Sequence, residues 1–453
     1  MLNRFIAPII LAIQYIVGSL PSVCSRLLSL LESLLEKKLK AFIRPYWILG
    51  NEVIRCSKNL LIKPIQKILF SSEIIGPPKG FYESTKKWII ANQTAPNYLQ
   101  CSYIEIYPIQ LINRSIPKTL DETIHWKFKI EYRRALPASF VVVVPRGRVW
   151  VNKGRNVDYS AVITGDDRIL SDVSLDFKRL PKNHSIFGEW KLPPVHHIEG
   201  TAAVLTSAKA HIYFHWLTDL LPRIELLRQG GISFKTIDKF IVNSYNYPFQ
   251  QETLKTLGIP DHKIIESCKY PHIKAERLLV PSLPALSGNP PRWVCDFLRR
   301  EFLPNSASNT QRYKDVERLY ISRSDAQYRK VINEAEVTAF LAQWGFKSIA
   351  LESMTITEKA ALFSSVKVVI APHGSGITNM VFCQPGTKLI EIFSPNYVNV
   401  GYWAMLNQIN LDYYYLIGEG RKPPEGIDPH LAGDNILVKL DSLLKILKLA
   451  GIA

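Results

Sequence analysis

The sequence predicts an α/β protein with two Rossmann-like domains that face a central cleft. From Thr201 onward, apolar strands alternate regularly with helices, a pattern that favours parallel sheets with helices on their faces. The turn-dense segment 286–310, which contains SGNPPR and PNSASNT, divides this alternation into two halves. The length of 453 residues also exceeds a single domain of about 150 residues. We therefore predict three parts, with boundaries near residues 70 and 300.

Each part follows from its own pattern. Residues 71–200 are poorly periodic and rich in proline and aromatic residues, with one apolar strand at 139–144, so we expect β structure with long loops. The next stretch predicts helices at 213–229 and 249–257 between strands at 201–207, 239–243, 264–266 and 277–281. The last stretch predicts helices at 334–344, 356–364, 377–383 and 400–408 between strands at 318–322, 348–351, 366–371, 388–393 and 412–416.

Composition and charge exclude several classes of protein. Hydrophobic residues make up 47% of the chain and charged residues 21%, which excludes a disordered or low-complexity protein. The net charge of +17 favours an anionic partner. Residues 71–453 contain no run of five like charges, so we expect no nucleic-acid partner. The six cysteines form no CxxC pair and fit a reducing cytosol better than a disulfide framework or a zinc site.

Residues 1–70 form a basic N-terminal segment. They hold ten basic and three acidic residues, which is +7 of the total +17. From Leu27 onward, apolar residues recur at helical spacing among Lys and Arg, a pattern typical of a helix in an anionic headgroup layer. A helix packed on the protein's own body has the same pattern. Residues 5–25 are uncharged but contain prolines, so the pattern leaves open whether they span a membrane. We expect a cytoplasmic protein, peripherally attached to the inner face of a membrane.

The strongest local motif is KVVIAPHGSGITNMVF at residues 367–382, where a buried strand runs into a turn and then a helix. Two glycines allow the backbone to approach a ligand closely, and the first N–H groups of the helix favour a phosphate. The motif is GxGxxN rather than GxGxxG, so it does not match the dinucleotide fingerprint. The sequence therefore predicts an anion site, with a glycine turn that binds nothing as the alternative. The residues of this candidate site are His373, Gly374, Ser375, Gly376 and Asn379.

Two other positions support a ligand at the same edge of the sheet. Arg323 follows a predicted strand directly, and an arginine there can bind phosphate through two N–H groups. Arg329 or Lys330 could add to that charge, although each of these three cations, taken alone, is more often a solvated surface residue. Glu391 lies inside the apolar strand KLIEIF, where a carboxylate either pairs with a neighbour or reaches ligand groups such as ribose hydroxyls.

The segment KAHIYFHWLTDLLPRIELL carries the candidate acid–base residues. His211, His215 and Asp219 follow each other at four-residue spacing and share one face if the helix begins early enough. A histidine or aspartate near a hydroxyl substrate can act as a general base. A metal site would need another ligand, and no HExxH is present, while a core helix with a His–Asp pair is the plainer alternative. Pro222 should break or bend this helix.

Taken in order, HWLTDLLPRIELL, LYISRSDAQYRKVINE and APHGSGITNMVF followed by LIEIF resemble the catalytic domain of glycosyltransferase family 61, over roughly residues 195–420. The resemblance implies a GT-B fold and inverting transfer of a sugar from a nucleotide donor, usually UDP-linked, to a glycan or protein hydroxyl. It implies that 71–300 is the acceptor domain and 301–453 the nucleotide-sugar-binding domain.

The motif matches also imply roles for single residues. Arg323, the His373–Gly376 turn and Asn379 would hold the donor diphosphate, and Glu391 would lie near the nucleoside. His215 and Asp219 would line the acceptor side, one as the base and the other orienting it. We expect no cofactor and no metal, because the chain lacks an Asp-x-Asp motif.

Two functions remain open from the sequence. The first is a transferase with a nucleotide-sugar donor and a glycan acceptor, in surface or capsular polysaccharide synthesis. The alternative is a non-catalytic nucleotide-sugar or polysaccharide-binding protein of the same fold.

Overall fold

The computed structural model describes residues 75–92, 101–153, 158–174, 176, 180–285, 288–306, 311–429 and 431–453. The basic N-terminal segment 1–70, with its predicted helix and membrane contact, lies outside the described residues. The chain divides into two compact units, Met1–Pro77 with Lys182–Leu192, and Pro78–Pro181 with Pro193–Ala453. The ten-stranded sheet, the five-stranded sheet, the β3–β4 pair and the candidate site lie in the second unit.

The second unit is built from short strands and helices. Its strands are β1 (Gly80–Tyr82), β2 (Ser102–Tyr107), β3 (Gln110–Asn113), β4 (Arg133–Leu136), β5 (Ser139–Pro145), β6 (Arg148–Lys153), β7 (Asp158–Ile163), β8 (Arg168–Leu170), β9 (His196–Val204), β10 (Lys239–Val242), β11 (Ile264–Glu266), β12 (His272–Pro281), β13 (Arg318–Ile321), β14 (Lys347–Ile349), β15 (Val368–Pro372), β16 (Lys388–Phe393) and β17 (Asp412–Ile417). Its helices are α1 (Thr85–Asn92), α2 (Trp126–Ile130), α3 (Tyr213–His215), α4 (Pro222–Gln229), α5 (Pro248–Thr256), α6 (Arg292–Phe302), α7 (Glu334–Ala342), α8 (Ile356–Ser365), α9 (Gly401–Gln408) and α10 (Leu440–Leu449). A π-helical turn at Trp216–Leu220 and a 3-10 helix at Ser375–Phe382 complete the elements around the site.

A ten-stranded mixed sheet contains most of the strands described between residues 80 and 281. Its main path is β1-β8-β7-β6-β12-β9-β10-β11, with β5 also paired to β12 and β2 to β5. Strands β9 to β12 run parallel, whereas β5 and β6 pair antiparallel with β12. Residues 71–200, where we expect β structure with long loops, contain β1 to β8 and the start of β9, and β1 and β8 pair parallel.

A separate five-stranded sheet contains the second half. Its order is β14-β13-β15-β16-β17, and every neighbouring pair is parallel. The chain passes from β13 outward to β14 and then returns to β15 on the other side of β13, so the strand order reverses there. In parallel α/β sheets, ligands bind at the carboxyl ends of the strands on either side of such a reversal. Arg323 follows β13 and His373 follows β15, so this topology brings them together.

Apolar residues explain why these elements form. All residues of β15 are buried, and β16 is buried from its second residue onward, as expected for strands covered on both faces. Leu217, Phe297 and Phe382, from segments around both sheets, belong to one continuous buried cluster. The predicted mixed α/β class, with parallel sheets and several helices, is confirmed. Among the described residues, no helix combines the length and the apolar character needed to cross a membrane.

Candidate functional site

Arg323 lies directly over the glycine turn that follows β15. A Cβ atom placed on Gly374 would come within 2.9 Å of the guanidinium carbon of Arg323 and closer still to one of its nitrogens. The backbone of Gly374 is extended, with φ of −178°, so the backbone angle alone would admit any residue. Glycine therefore allows the side chain of Arg323 to occupy the space where a Cβ would stand.

The guanidinium of Arg323 is only partly satisfied by the protein. One Nη donates to the carbonyl of Tyr328 at 3.0 Å, and the backbone N–H of Arg323 donates to Glu334 at 3.2 Å. Its Nε is buried and has no hydrogen-bond partner among the described residues. Burial lowers the pKa of Arg323, and the charge of Arg329 lowers it further. An arginine nevertheless stays charged at neutral pH, so this partly buried cation can bind an anion.

Arg329 supports the same turn from another direction. Its Nε donates to the carbonyl of His373 at 2.9 Å, and an Nη donates to the carbonyl of Ala432 at 2.5 Å. Its guanidinium packs on the rings of Tyr328 and Tyr397, 4.7 and 5.4 Å from the ring centroids. The sequence predicts that Arg329 or Lys330 adds a cation to the site. Of the two, the structure brings Arg329 into contact with the turn.

His373, at the start of the turn, has a buried carboxylate behind it. Residues Ala371 and Glu391 are register partners in β15 and β16, which places Glu391 beneath the turn. Nδ1 of His373 hydrogen-bonds to one oxygen of Glu391, and the hydroxyl of Tyr413 donates to the other oxygen at 2.6 Å. The sequence left open whether Glu391 pairs with a neighbour or reaches a ligand. The structure shows the pairing, and the contact with the nucleoside stays a prediction.

Burial dominates the electrostatics of this pair. It lowers the pKa of His373 well below its ordinary value, and the positive charges of Arg329, Arg323 and Lys127 act in the same direction. It raises the pKa of Glu391 well above its ordinary value, against the opposing effects of the Tyr413 hydroxyl and of Arg329. Both shifts disfavour charge in the interior.

Lys127 is a cation that sequence reasoning did not identify. It lies on α2, and its Nζ donates to the carbonyl of Val398 at 2.8 Å and forms an ion pair with Asp428. Its charge acts on His373, although the two residues are far apart in the sequence. No motif surrounds Lys127, so only the folded chain reveals its proximity.

Asn379 lies beneath the turn. The predicted α-helix near residue 377 is a 3-10 helix over Ser375–Phe382, and it begins with Ile377 donating to the carbonyl of Gly374 at 3.0 Å. The amide of Asn379 is fully buried and donates to the carbonyl of Gly376 at 2.9 Å. Its oxygen accepts a hydrogen bond of 2.7 Å from the hydroxyl of Tyr213. These contacts fix the shape of the turn, while the predicted contact with the donor remains untested.

His215 and Asp219 form the pair that their spacing predicts. Nδ1 of His215 lies 2.8 Å from Oδ2 of Asp219, and both side chains are mostly buried. The hydroxyl of Thr218 donates to the other oxygen of Asp219 at 3.2 Å. His211 precedes α3 and is exposed.

The segment between them is not an ordinary α-helix. The predicted helix 213–229 is divided by the π-helical turn Trp216–Leu220, where Leu221 donates to the carbonyl of Trp216 at 3.0 Å. Pro222 then begins α4. In a continuous α-helix the ring of Pro222 would collide with the carbonyl four residues earlier, and the wider turn avoids that collision. Single π-helical turns are frequent at functional sites.

The structure brings the His215 segment against the glycine turn. Tyr213 makes the hydrogen bond to Asn379, and the ring of Phe214 lies 5.2 Å from that of Tyr402. Tyr402 in turn lies 5.2 Å from the ring of His373. The candidate base and the candidate anion site therefore belong to one packed region, connected through Tyr213 and Tyr402.

A comparison with protein families supports the resemblance seen in the sequence motifs. The model of the family Glycosyltransferase 61 matches residues 213–390. The match begins at Tyr213 and contains His215, Arg323 and the glycine turn, whereas Glu391 lies just beyond it. A search of curated proteins finds no match to the chain.

Proposed function

We propose that the glycosyltransferase family 61 domain of this chain, formed by residues 213–390, is an inverting enzyme that transfers a sugar from a UDP-sugar to a glycan hydroxyl. The match to the family model supports glycosyltransferase activity, with a donor and an acceptor as substrates. The uridine nucleotide, the inversion and the glycan acceptor are the additional parts of the proposal.

The partly satisfied guanidinium of Arg323 is the observation that carries the proposal. A partly buried cation whose Nε has no hydrogen-bond partner among the described residues favours a negatively charged ligand, and a nucleoside diphosphate is one. Arg329, which donates to the carbonyl of His373, adds a second positive charge at the turn. Two fixed arginines would stabilise the charge that develops on a departing diphosphate, because they need no reorganisation during the reaction.

The His215–Asp219 pair would supply the base. With a proton on Nδ1, His215 would donate to Asp219, which would orient the ring and make Nε2 the atom that takes a proton from the acceptor. Nε2 removes the proton of the acceptor hydroxyl while the hydroxyl oxygen forms a bond to the anomeric carbon. The bond from that carbon to the diphosphate oxygen breaks, and the electron pair leaves with the diphosphate. One displacement from the face opposite the leaving group inverts the configuration.

The larger arrangement belongs to the same proposal. The two sheets would be the two Rossmann-like halves of a GT-B enzyme, with 71–300 on the acceptor side and 301–453 on the donor side. Metal independence is supported by the missing Asp-x-Asp motif and by the arginine pair. The basic segment 1–70 supports a cytoplasmic enzyme at an anionic membrane, which suits assembly of a surface or capsular polysaccharide.

Thermal unfolding with UDP, GDP or CMP in the presence of chelator tests the donor site. A ligand at 100 times its Kd should stabilise the fold by about 2.7 kcal/mol. We expect UDP to raise the unfolding temperature of the wild type, and Arg323→Ala to abolish the shift. The matched control is Arg312→Ala, which removes an exposed arginine paired with Glu358. If no nucleotide shifts either the wild type or the control, the proposed donor site is wrong.

Substitution of the candidate base separates an enzyme from a binding protein. We expect His215→Ala and Asp219→Asn to lose turnover of a UDP-sugar while they keep the stabilisation by UDP. A wild type that binds the nucleotide but transfers no sugar to any of a panel of glycans would favour the non-catalytic alternative.

A further inference from the structure

We propose that the hydrogen-bonded chain of His373, Glu391 and Tyr413 sets the protonation of Nε2 of His373, so that the site takes up a proton when the donor diphosphate binds and His373 then donates a hydrogen bond to it. This inference rests on the donor site proposed above. It assigns Glu391 to positioning a neighbouring side chain instead of contacting the nucleoside.

The three side chains form a hydrogen-bonded chain that leads from the turn into the interior. His373 keeps 8% of its side chain exposed, whereas Glu391 is completely buried behind it. Glu391 uses one oxygen for Nδ1 of His373 and the other for the hydroxyl of Tyr413. Among the polar atoms of these three side chains, Nε2 of His373 remains for a ligand, since no described residue hydrogen-bonds to it.

The contact between Nδ1 and Glu391 ties the state of Nε2 to the number of protons on the pair. If Glu391 is ionised and His373 is neutral, the only ring proton must lie on Nδ1, because two lone pairs would otherwise face each other. Nε2 is then bare. If the pair holds one more proton, that proton completes the contact at Nδ1 and Nε2 carries N–H. The number of protons on the buried Glu391–His373 pair therefore determines whether Nε2 carries an N–H.

Once an anion binds, the surroundings favour the state in which the Glu391–His373 pair holds two protons. The pair is then neutral, which suits a site where burial raises the pKa of Glu391. A bare Nε2 would direct its lone pair at the phosphate oxygens, whereas Nε2–H donates to them. The negative charge of the diphosphate also offsets the cations that otherwise disfavour protonation. The charged and titratable groups facing His373 are Arg323, Arg329, Lys127, Glu391, Tyr397 and Tyr402.

Calorimetric titration with UDP, in buffers of different ionisation enthalpy, measures the proton uptake directly. Work above pH 7.5 avoids the titration of the nucleotide itself, since the second pKa of a phosphate is about 6. We expect uptake approaching one proton per site, with affinity falling by up to about tenfold per pH unit as the pH rises through the titration of the pair. Binding of UDP without proton uptake would overturn the inference and leave the donor site standing. A complete absence of nucleotide binding would instead contradict the proposed function.

Two variants separate this role from a merely structural one. In Glu391→Gln, the amide can donate to Nδ1 of His373 and accept from Tyr413, which fixes Nε2–H without a titrating carboxyl. We expect UDP to bind with no proton uptake. Tyr413→Phe removes a donor that favours the ionised carboxylate, so proton uptake should persist and its pH window should move upward. The control Tyr414→Phe, on the same strand, should leave the window unchanged.

The variants also keep the inference testable if one of them misfolds. Near-wild-type proton uptake by folded Glu391→Gln would show that another group titrates. If that variant does not fold, the pH range of proton uptake in Tyr413→Phe tests the inference instead. A range unchanged from the wild type overturns it.

Discussion

Replacing Gly374 with alanine should disable the anion site without disrupting the fold. The new methyl group would overlap the guanidinium of Arg323, and the extended backbone at Gly374 adds no strain of its own. The end of a flexible side chain can move away, at the loss of one exposed hydrogen bond from the guanidinium to Tyr328 worth about 1.5 kcal/mol, the lower end of the range for a charged donor. Removing glycine's freedom in the unfolded chain offsets this by about 0.4–1 kcal/mol. We therefore expect a net loss of unfolding free energy of about 1 kcal/mol or less.

The loss should appear in binding instead. A hydrogen bond to a charged group contributes roughly 1.5–3 kcal/mol, so displacing Arg323 should weaken nucleoside diphosphate binding by about ten- to 150-fold. Titration calorimetry with UDP measures this, and Gly433→Ala is the matched control because a Cβ there meets no atom within 4 Å. The double variant Gly374→Ala with Arg323→Ala should bind no more weakly than Arg323→Ala alone. Wild-type affinity in Gly374→Ala, or additive losses in the double variant, would refute the steric reasoning.

Two further predictions concern stability. Tyr213→Phe removes the 2.7 Å hydrogen bond to Asn379 and leaves a buried amide oxygen unpaired, so urea denaturation should show a loss of about 1–3 kcal/mol, and an unchanged midpoint would contradict the contact. Burial lowers the pKa of His272 from 6.5 to about 4, so the unfolded chain binds the extra proton first and stability falls as the pH drops from about 6.5 to 4. The contribution is at most about 1.4 kcal/mol per pH unit, and it should be missing from the denaturation profile of His272→Asn, so superimposable pH profiles would refute it.

The sequence predicts the parts of the site that depend on strand ends. Arg323 and His373 each follow an apolar strand, and the β/α alternation suffices to place both at the carboxyl edge of a parallel sheet. The His215–Asp219 pair is likewise readable, because four-residue spacing brings the two side chains onto one face of a helix. In each case the local chain pattern determines the geometry.

The parts that depend on register and on distant segments could not be predicted. Glu391 meets His373 because β15 and β16 pair with Ala371 beside it, and no local pattern states that register. Lys127 acts on His373 from a separate helix. The motif suggested that Gly374 makes room for a ligand, whereas the structure fills that room with Arg323. Such close approaches between segments are a property of the folded chain alone.

The π-helical turn at Trp216–Leu220 has a consequence for how this segment can vary. A π-helical turn holds about one residue more than an α-helical turn, so deleting one residue between His215 and Asp219 would close it toward an α-helix. The ring of Pro222 would then collide with the carbonyl four residues earlier, and the four-residue spacing of the His215–Asp219 pair would be lost. Substitutions on the exposed side of this segment keep that spacing, whereas a change in its length does not. The geometry of the candidate base therefore depends on the number of residues ahead of Pro222 as well as on their identity.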